Sequence, residues 1–455
     1  MLMRIISAMA IAAWVFGLAG TTSAAGPEFS NTFLLATGNG GIATTPNFDS
    51  TGNSEPGIAF GNDGTMVIEG LSWLTFQVNV WKSTFGGAPN YFGPAFTDLA
   101  QPGRFALGGG DADVDVASTG TTHLVDLDFL VNRPFNNAQL GVSVLNCPST
   151  ANAPTACSRR VLDIAGADRP WITSDGRNVW VSYHDAGHSA LIHVQRSLDD
   201  GGTWANLRSP IPGQGKATGD ATFNNQLGPI VADSYTHNVY EIYTAGEPGI
   251  QKGSSAAYNN VFVSRSTDGG KSWTAQLVFH APLFTNLSNI FPSLAVDPTD
   301  GLLHATWSNR DGIWYSKSAD QGTTWSPALK VSTTATAVMP WAASRHGKVD
   351  IVYYGTSAAS NEDPGAVWFT YDSQYKNGKW SVLTVSNTPN HRGPVCLNGS
   401  ACRSDRELLD LFEVAEDPVT GKAAVVYTDS TVDTYFSPFL NTFVKLPEVV
   451  LAKEN

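Results

Sequence analysis

The pattern Ser-x-Asp-x-Gly-x-x-Trp occurs three times without error in this chain: Ser197 to Trp204, Ser266 to Trp273 and Ser318 to Trp325. Each copy follows a short alternating apolar run, LIHVQR, NVFVSR and GIWYSK, which has the period of a half-buried strand. An acid, a hydroxyl and an aromatic in so few residues could be a small active site or a turn. Repetition favours the turn, because catalysis needs such a residue once, whereas a turn is needed in every copy of a repeated unit. In that reading Asp268 accepts bonds from nearby backbone N–H groups, the glycines take positive φ and Trp273 packs beside the sheet. Eroded copies stand at Ser83 to Asn90 and Ser373 to Trp380.

A second element recurs upstream of each copy: an apolar strand, a turn, and another apolar strand. It starts at Glu55, Asp113, Arg169, Gly228, Phe291, Met339 and Leu411, with spacings of 48 to 72 residues. No stretch shows a sustained helical period with caps. The expectation is an all-β chain forming a single β-propeller of four-stranded blades, with seven repeats read. The last repeat is short of strands after Asp429, and Asn31 to Ala36 is expected to supply the missing one and close the ring. Closure removes the sheet edges that otherwise invite aggregation.

Arg4, the apolar run Ile5 to Gly20 and the small residues before Ala25 read as a secretory signal peptide, leaving 26–455 as one propeller domain. No segment reaches the about 20 apolar residues of a spanning helix, so a secreted, extracellular or periplasmic protein with no membrane contact is expected. Cys147 with Cys157, and Cys396 with Cys402, suggest two local disulfide staples. The net charge of −13 argues against nucleic acid, which requires clustered cations. A monomer is expected.

The repeats resemble the Asp boxes, or BNR repeats, of the sialidase superfamily. The resemblance implies a propeller, six-bladed in the family's known catalytic domains, and for active members a sialidase reaction: release of a terminal acidic sugar from a glycan. It also implies an arginine triad on the substrate carboxylate, a tyrosine nucleophile with a glutamate partner, and an aspartate acid/base. A guanidinium fork suits a carboxylate, and a tyrosine needs a neighbouring base to attack. The family's arginine before Ile-Pro has no equivalent here, Arg169-Pro170 in ADRPWI being the nearest match. The same motif occurs in propellers that are not sialidases.

In a four-stranded meander the box turns lie on one face, and chemistry is expected on the other, before the first strand and after the second. Before first strands stand Glu55, Asp111, Asp113, Asp168, Arg169, Asp220, Asn289, Asp405, Arg406 and Asp410; after second strands stand His184, Asp185, Arg310, Asp311, Tyr354 and Asp429. From these, Arg169, Arg310 and Arg406 are candidates for the triad, with Asp113, His184, Asp185 and Tyr354 as further catalytic candidates. Several have a bland alternative: Arg169 pairing with Asp168 or packing on Trp171, Arg406 in a salt bridge, His184 with Asp185 in an ordinary hydrogen bond, Tyr354 in inter-blade packing. Asp111, Asp113 and Asp115 alternate along one strand; a solvated edge is preferred there over a bound cation such as Ca²⁺, and no cofactor is expected. The expected ligand is a glycan or a small acidic molecule. A non-catalytic glycan- or protein-binding propeller, and an enzyme acting on uronic-acid polysaccharides through a base such as His184 or Tyr354, are the competing functions.

Overall fold

The computed structural model describes residues 28–36, 52–72, 77–96, 104–132, 138–164, 166–185, 191–212, 225–246, 258–399, 402–403, 405–437 and 442–455. The leader and Asp220 lie outside them. Seven antiparallel sheets are present, each built as a four-stranded meander, one with a short extra strand. Their innermost strands are Asn53–Phe60, Arg104–Val116, Ala167–Asp175, Asn225–Ala232, Ser293–Val296, Thr336–Arg345 and Glu413–Glu416. Each packs on the next and the last packs on the first, so the sheets form a closed seven-bladed propeller. All seven repeat starts lie in or within two residues of these strands, and the six-bladed alternative is excluded.

Closure uses both ends of the chain. Blade 7 contributes Glu413–Glu416, Ala423–Ser437 and Thr442–Glu454, and Phe29–Phe33 adds the outermost strand, with Phe29 opposite Glu454 and Phe33 opposite Val450. The strand expected from Asn31 to Ala36 therefore begins two residues earlier and ends at Phe33. Buried Val, Ile, Leu, Trp and Tyr side chains on the central strands of every blade fill the spaces between sheets.

The three motif copies are turns between the third and fourth strands of blades 3, 4 and 5. In each, the serine hydroxyl donates to the aspartate at 2.8 Å and accepts from the N–H of the motif glycine, Gly201, Gly270 or Gly322, at 2.7–2.9 Å. The aspartate also accepts from the backbone N–H of Thr203, Ser272 or Thr324 and from its hydroxyl. The tryptophan indole N–H closes the turn on the carbonyl of that glycine. Gly201, Gly270 and Gly322 take φ of 83°, 95° and 80°, where a Cβ would be strained. The hydroxyl residue before each tryptophan was not part of the pattern read from sequence, yet it supplies two of the bonds. Blade 6 replaces the box with a two-residue Asn377-Gly378 turn at positive φ, and blade 2 spans the same connection with the Cys147–Cys157 disulfide. The Cys396–Cys402 disulfide also forms. Among the described residues, no helix is long and apolar enough to cross a membrane.

Candidate functional site

Five innermost strands are entered through a residue followed by proline: Glu55-Pro56, Arg169-Pro170, Gly228-Pro229, Phe291-Pro292 and Met339-Pro340. Proline has no N–H for the ladder, so pairing skips there; register shifts fall between Ser54 and Gly57, Asp168 and Trp171, Leu227 and Ile230, and Val338 and Trp341. Glu55, Arg169 and Met339 adopt φ of 48°, 51° and 55°, an uncommon conformation for residues with a Cβ. The bulge releases the side chain before proline from the pleat, and at Glu55 and Arg169 this builds an ion cluster across blades.

Arg169 Nη2 lies 3.0 Å from Asp111, 3.1 Å from Asp410 and 3.3 Å from Glu55, carboxylates drawn from blade 2, the approach to blade 7, and blade 1. Its guanidinium also sits 4.5 Å from the centre of the Phe291 ring, a cation–π contact. Arg406 pairs with the same Asp410 oxygen through its own Nη2, and Glu55 accepts the Asp410 backbone N–H at 2.8 Å. Arg169, Glu55 and Asp410 are buried. Burial first pushes Glu55 up to about 8, against the pull of Arg169. Arg169 Nη1 and Arg406 Nε are buried donors without a partner among the described residues.

This cluster forms one wall of a cavity of about 600 Å³. Asp168, His184, Gln226, Tyr258, Asn286 and Ser288 line other parts, and Leu397 to Gly399 of the Cys396–Cys402 loop close one side. Asp168 is exposed to the cavity. Desolvation by the surrounding walls and then the hydrogen-bonded carboxyl of Asp111 push it up to about 7. Water in the open cavity moderates that desolvation, and a ligand that displaces the water restores it. His184 Nε2 lies 2.7 Å from Asn225 Oδ1, and burial lowers the imidazole to about 4, so it is neutral at physiological pH.

The structure thus brings Arg169, Arg406 and His184 to one cavity and places the other candidates elsewhere. Arg310 is exposed and does not line the cavity; its backbone, with φ of 73°, bridges to Ala337. The three arginines therefore do not converge. Asp185 leaves His184 because successive strand residues face opposite sides, and it pairs with His193 at 2.5 Å. Tyr354 is fully buried between blades 6 and 7, its ring centre 4.0 Å from that of Phe412 and its hydroxyl accepting the Thr428 N–H at 3.0 Å. Burial raises its phenol, the opposite of activation.

Asp113 is buried and accepts the N–H groups of Val114 at 2.7 Å and Ile172 at 2.8 Å, tying blade 2 to blade 3. Asp115 likewise accepts from Ser174. A bulge between Gly109 and Ala112 separates these from Asp111, so the alternating acids are dispersed to different partners. The one group of His and acids close enough to share a metal among the described residues is His391, Asp405 and Glu407, where Lys445 Nζ already lies 2.7 Å from Glu407. Tyr258, Gln226 and the cystine loop were missed from sequence. Gln226 and the loop had a positional signal, just before an inner strand and between paired cysteines.

Fold and site together define a seven-bladed propeller with an acid- and arginine-lined mouth. No family model matches the chain, and no curated protein matches it. Among solved structures it is similar to a polysaccharide lyase of family PL25, an ulvan lyase, at 11% identity and a TM-score of 0.52, over 89% of this chain and 95% of that one. The same lyase bound to -[GlcA(1-4)Rha3S]- gives a TM-score of 0.53. The intramolecular trans-sialidase from Ruminococcus gnavus matches at 14% identity and a TM-score of 0.41, covering 92% of this chain and 96% of that one. Trypanosoma rangeli sialidase matches at 12% and 0.42, covering 94% and 58%. At these identities the likeness is one of fold.

Proposed function

We propose that this propeller is an exported glycoside hydrolase that takes the terminal sugar of a glycan into the 600 Å³ cavity, with Asp168 as its general acid. The observation that carries this is the Asp111–Asp168 carboxyl pair on the cavity wall, with Asp168 pushed up to about 7. A carboxyl held protonated near neutrality can donate to a departing glycosidic oxygen, while an ordinary aspartate cannot. Arg169 and Arg406 hold Asp410 and Asp111 in place, keeping the wall rigid. Arg169 and Arg406 in the cavity lining support an acidic sugar, because guanidinium groups suit a carboxylate. This recognition uses two arginines.

A second reading, a lyase acting on a uronic-acid polymer, rests on His184 in the same cavity, an unprotonated imidazole that burial makes a weak base. Purified protein and an Asp168→Asn variant, incubated with fluorogenic sialoside, uronide and neutral glycosides and with a polyuronate, separate these. Release from an acidic glycoside by the wild type, lost in the variant by about 100-fold or more, is expected for a general acid. An ultraviolet-absorbing unsaturated product from the polymer, dependent on His184, would replace the hydrolase with the lyase. Binding without turnover of any substrate would leave a glycan-binding propeller.

A further inference from the structure

On the face opposite the mouth, between blades 5 and 6, lies a second cavity of about 320 Å³. It opens beside the motif turn of blade 5, since Ser326 and Pro327 directly follow Trp325 and line it. Its walls are aromatic. The Tyr315 and Trp380 rings meet edge to face with centres 5.0 Å apart, and Tyr375 is tilted against Trp380 at 5.4 Å. Leu329, an exposed apolar residue on a two-residue edge strand, forms part of the rim.

One buried polar group belongs to this apolar space. His304 is 3% exposed and stacks on Tyr315. Its Nδ1 is engaged with the Tyr315 hydroxyl at 2.8 Å, while its Nε2 is buried with no partner among the described residues. A buried imidazole nitrogen without a bond is costly, and a bound group that hydrogen-bonds to it removes that cost. Lys317 pairs across the strands with His304 and is exposed at the same cavity, placing an ammonium near the opening.

We infer that this inter-blade cavity is a binding site for a single aromatic ring carrying one hydrogen-bonding substituent, a phenol or an aryl carboxylate. The ring lies against Trp380, Tyr375 and Leu329, where edge-to-face contacts are favourable, and its substituent reaches His304 Nε2. A pyranose fits less well, because a sugar brings several hydroxyls and most of this wall has nothing to offer them. The volume is at the lower end for small-molecule sites and has room for one ring with its substituent. The site is independent of the mouth and does not rest on the hydrolase reading.

Isothermal titration calorimetry of the full chain with phenol, with benzoate and with methyl glucopyranoside tests it. Saturable heat with phenol or benzoate and none with the glucoside is expected; tighter benzoate binding would assign a role to Lys317, and equal or weaker binding would assign recognition to His304 alone. His304→Phe keeps the stack on Tyr315 but removes Nε2 and should weaken binding about tenfold. Leu329→Trp blocks the rim from an exposed position and should abolish binding with an unchanged melting temperature, which keeps the test valid if His304→Phe fails to fold. Absence of binding by both aryl probes, binding of the glucoside, or an unaltered isotherm in Leu329→Trp would overturn the site.

Discussion

Arg169 shows how one side chain can be visible in a sequence while its role is hidden. Its position before Pro170 at the start of an inner strand was legible, because the repeats locate the strand. Its three carboxylate partners were not, since Glu55, Asp111 and Asp410 lie 114, 58 and 241 residues away. Arg169→Met leaves Glu55 and Asp111 without their cation while Arg406 stays on Asp410, and urea denaturation should show a loss of about 3–5 kcal/mol. Arg169→Lys keeps the charge but not the fork, so recovery should be partial. His184 and Asp185 illustrate the reverse error. Adjacency in sequence suggested a pair, and the alternation of strand side chains sent one to Asn225 and the other to His193.

At the scale of elements, the motif turns were the most legible part of the chain. Their bonds are local, made within eight residues, so the spacing of Ser, Asp, Gly and Trp is a direct record of the geometry. Desolvation raises Asp268, and the hydrogen bonds from Ser272, Ser266 and the Lys271 backbone together outweigh it and hold the carboxyl at about 2. Asp268→Ala should lower the melting temperature by a few degrees, followed by circular dichroism, and leave activity at the mouth unchanged. The closing strand was legible for a different reason, a shortage of strands in the last repeat. Deleting residues 28–33 exposes the edge of Thr442–Glu454, and light scattering should report aggregation in the truncated protein and none in the full chain.

Across the whole molecule, the ring of blades collects buried acids from distant repeats around one axis. Glu55 and Asp113 are each pushed up to about 8 from ordinary values of 4.5 and 3.8, chiefly by burial. Between those limits the folded protein holds protons that the unfolded chain has released, so stability falls as pH rises from about 4 to about 8. The destabilisation is absent below the unfolded values and complete above the folded ones. Chemical denaturation at pH 5 and pH 8 should therefore give the higher stability at pH 5, by on the order of 1 kcal/mol per pH unit for each group across that range. If Asp168 is the general acid, turnover should also fall on the alkaline side of about 7, and the Asp168→Asn variant should lose that limb.

The fold class, seven repeat starts, the two disulfide pairings and the closing strand could be read from the sequence alone. These follow from periodicity, local turn chemistry and counting, all of which act over a few residues or repeat at a fixed interval. Only the tertiary structure decided which candidates meet. Ring closure brings Glu55 and Asp410 together from opposite ends of the chain, the proline bulges turn Glu55 and Arg169 out of their pleats, and inter-blade packing takes Tyr354 and Asp113 out of the cavity. The contacts that build the mouth carry no period in the sequence, because each is made once, unlike the repeated bonds from Arg196 and Arg265 to the motif turn of the next blade.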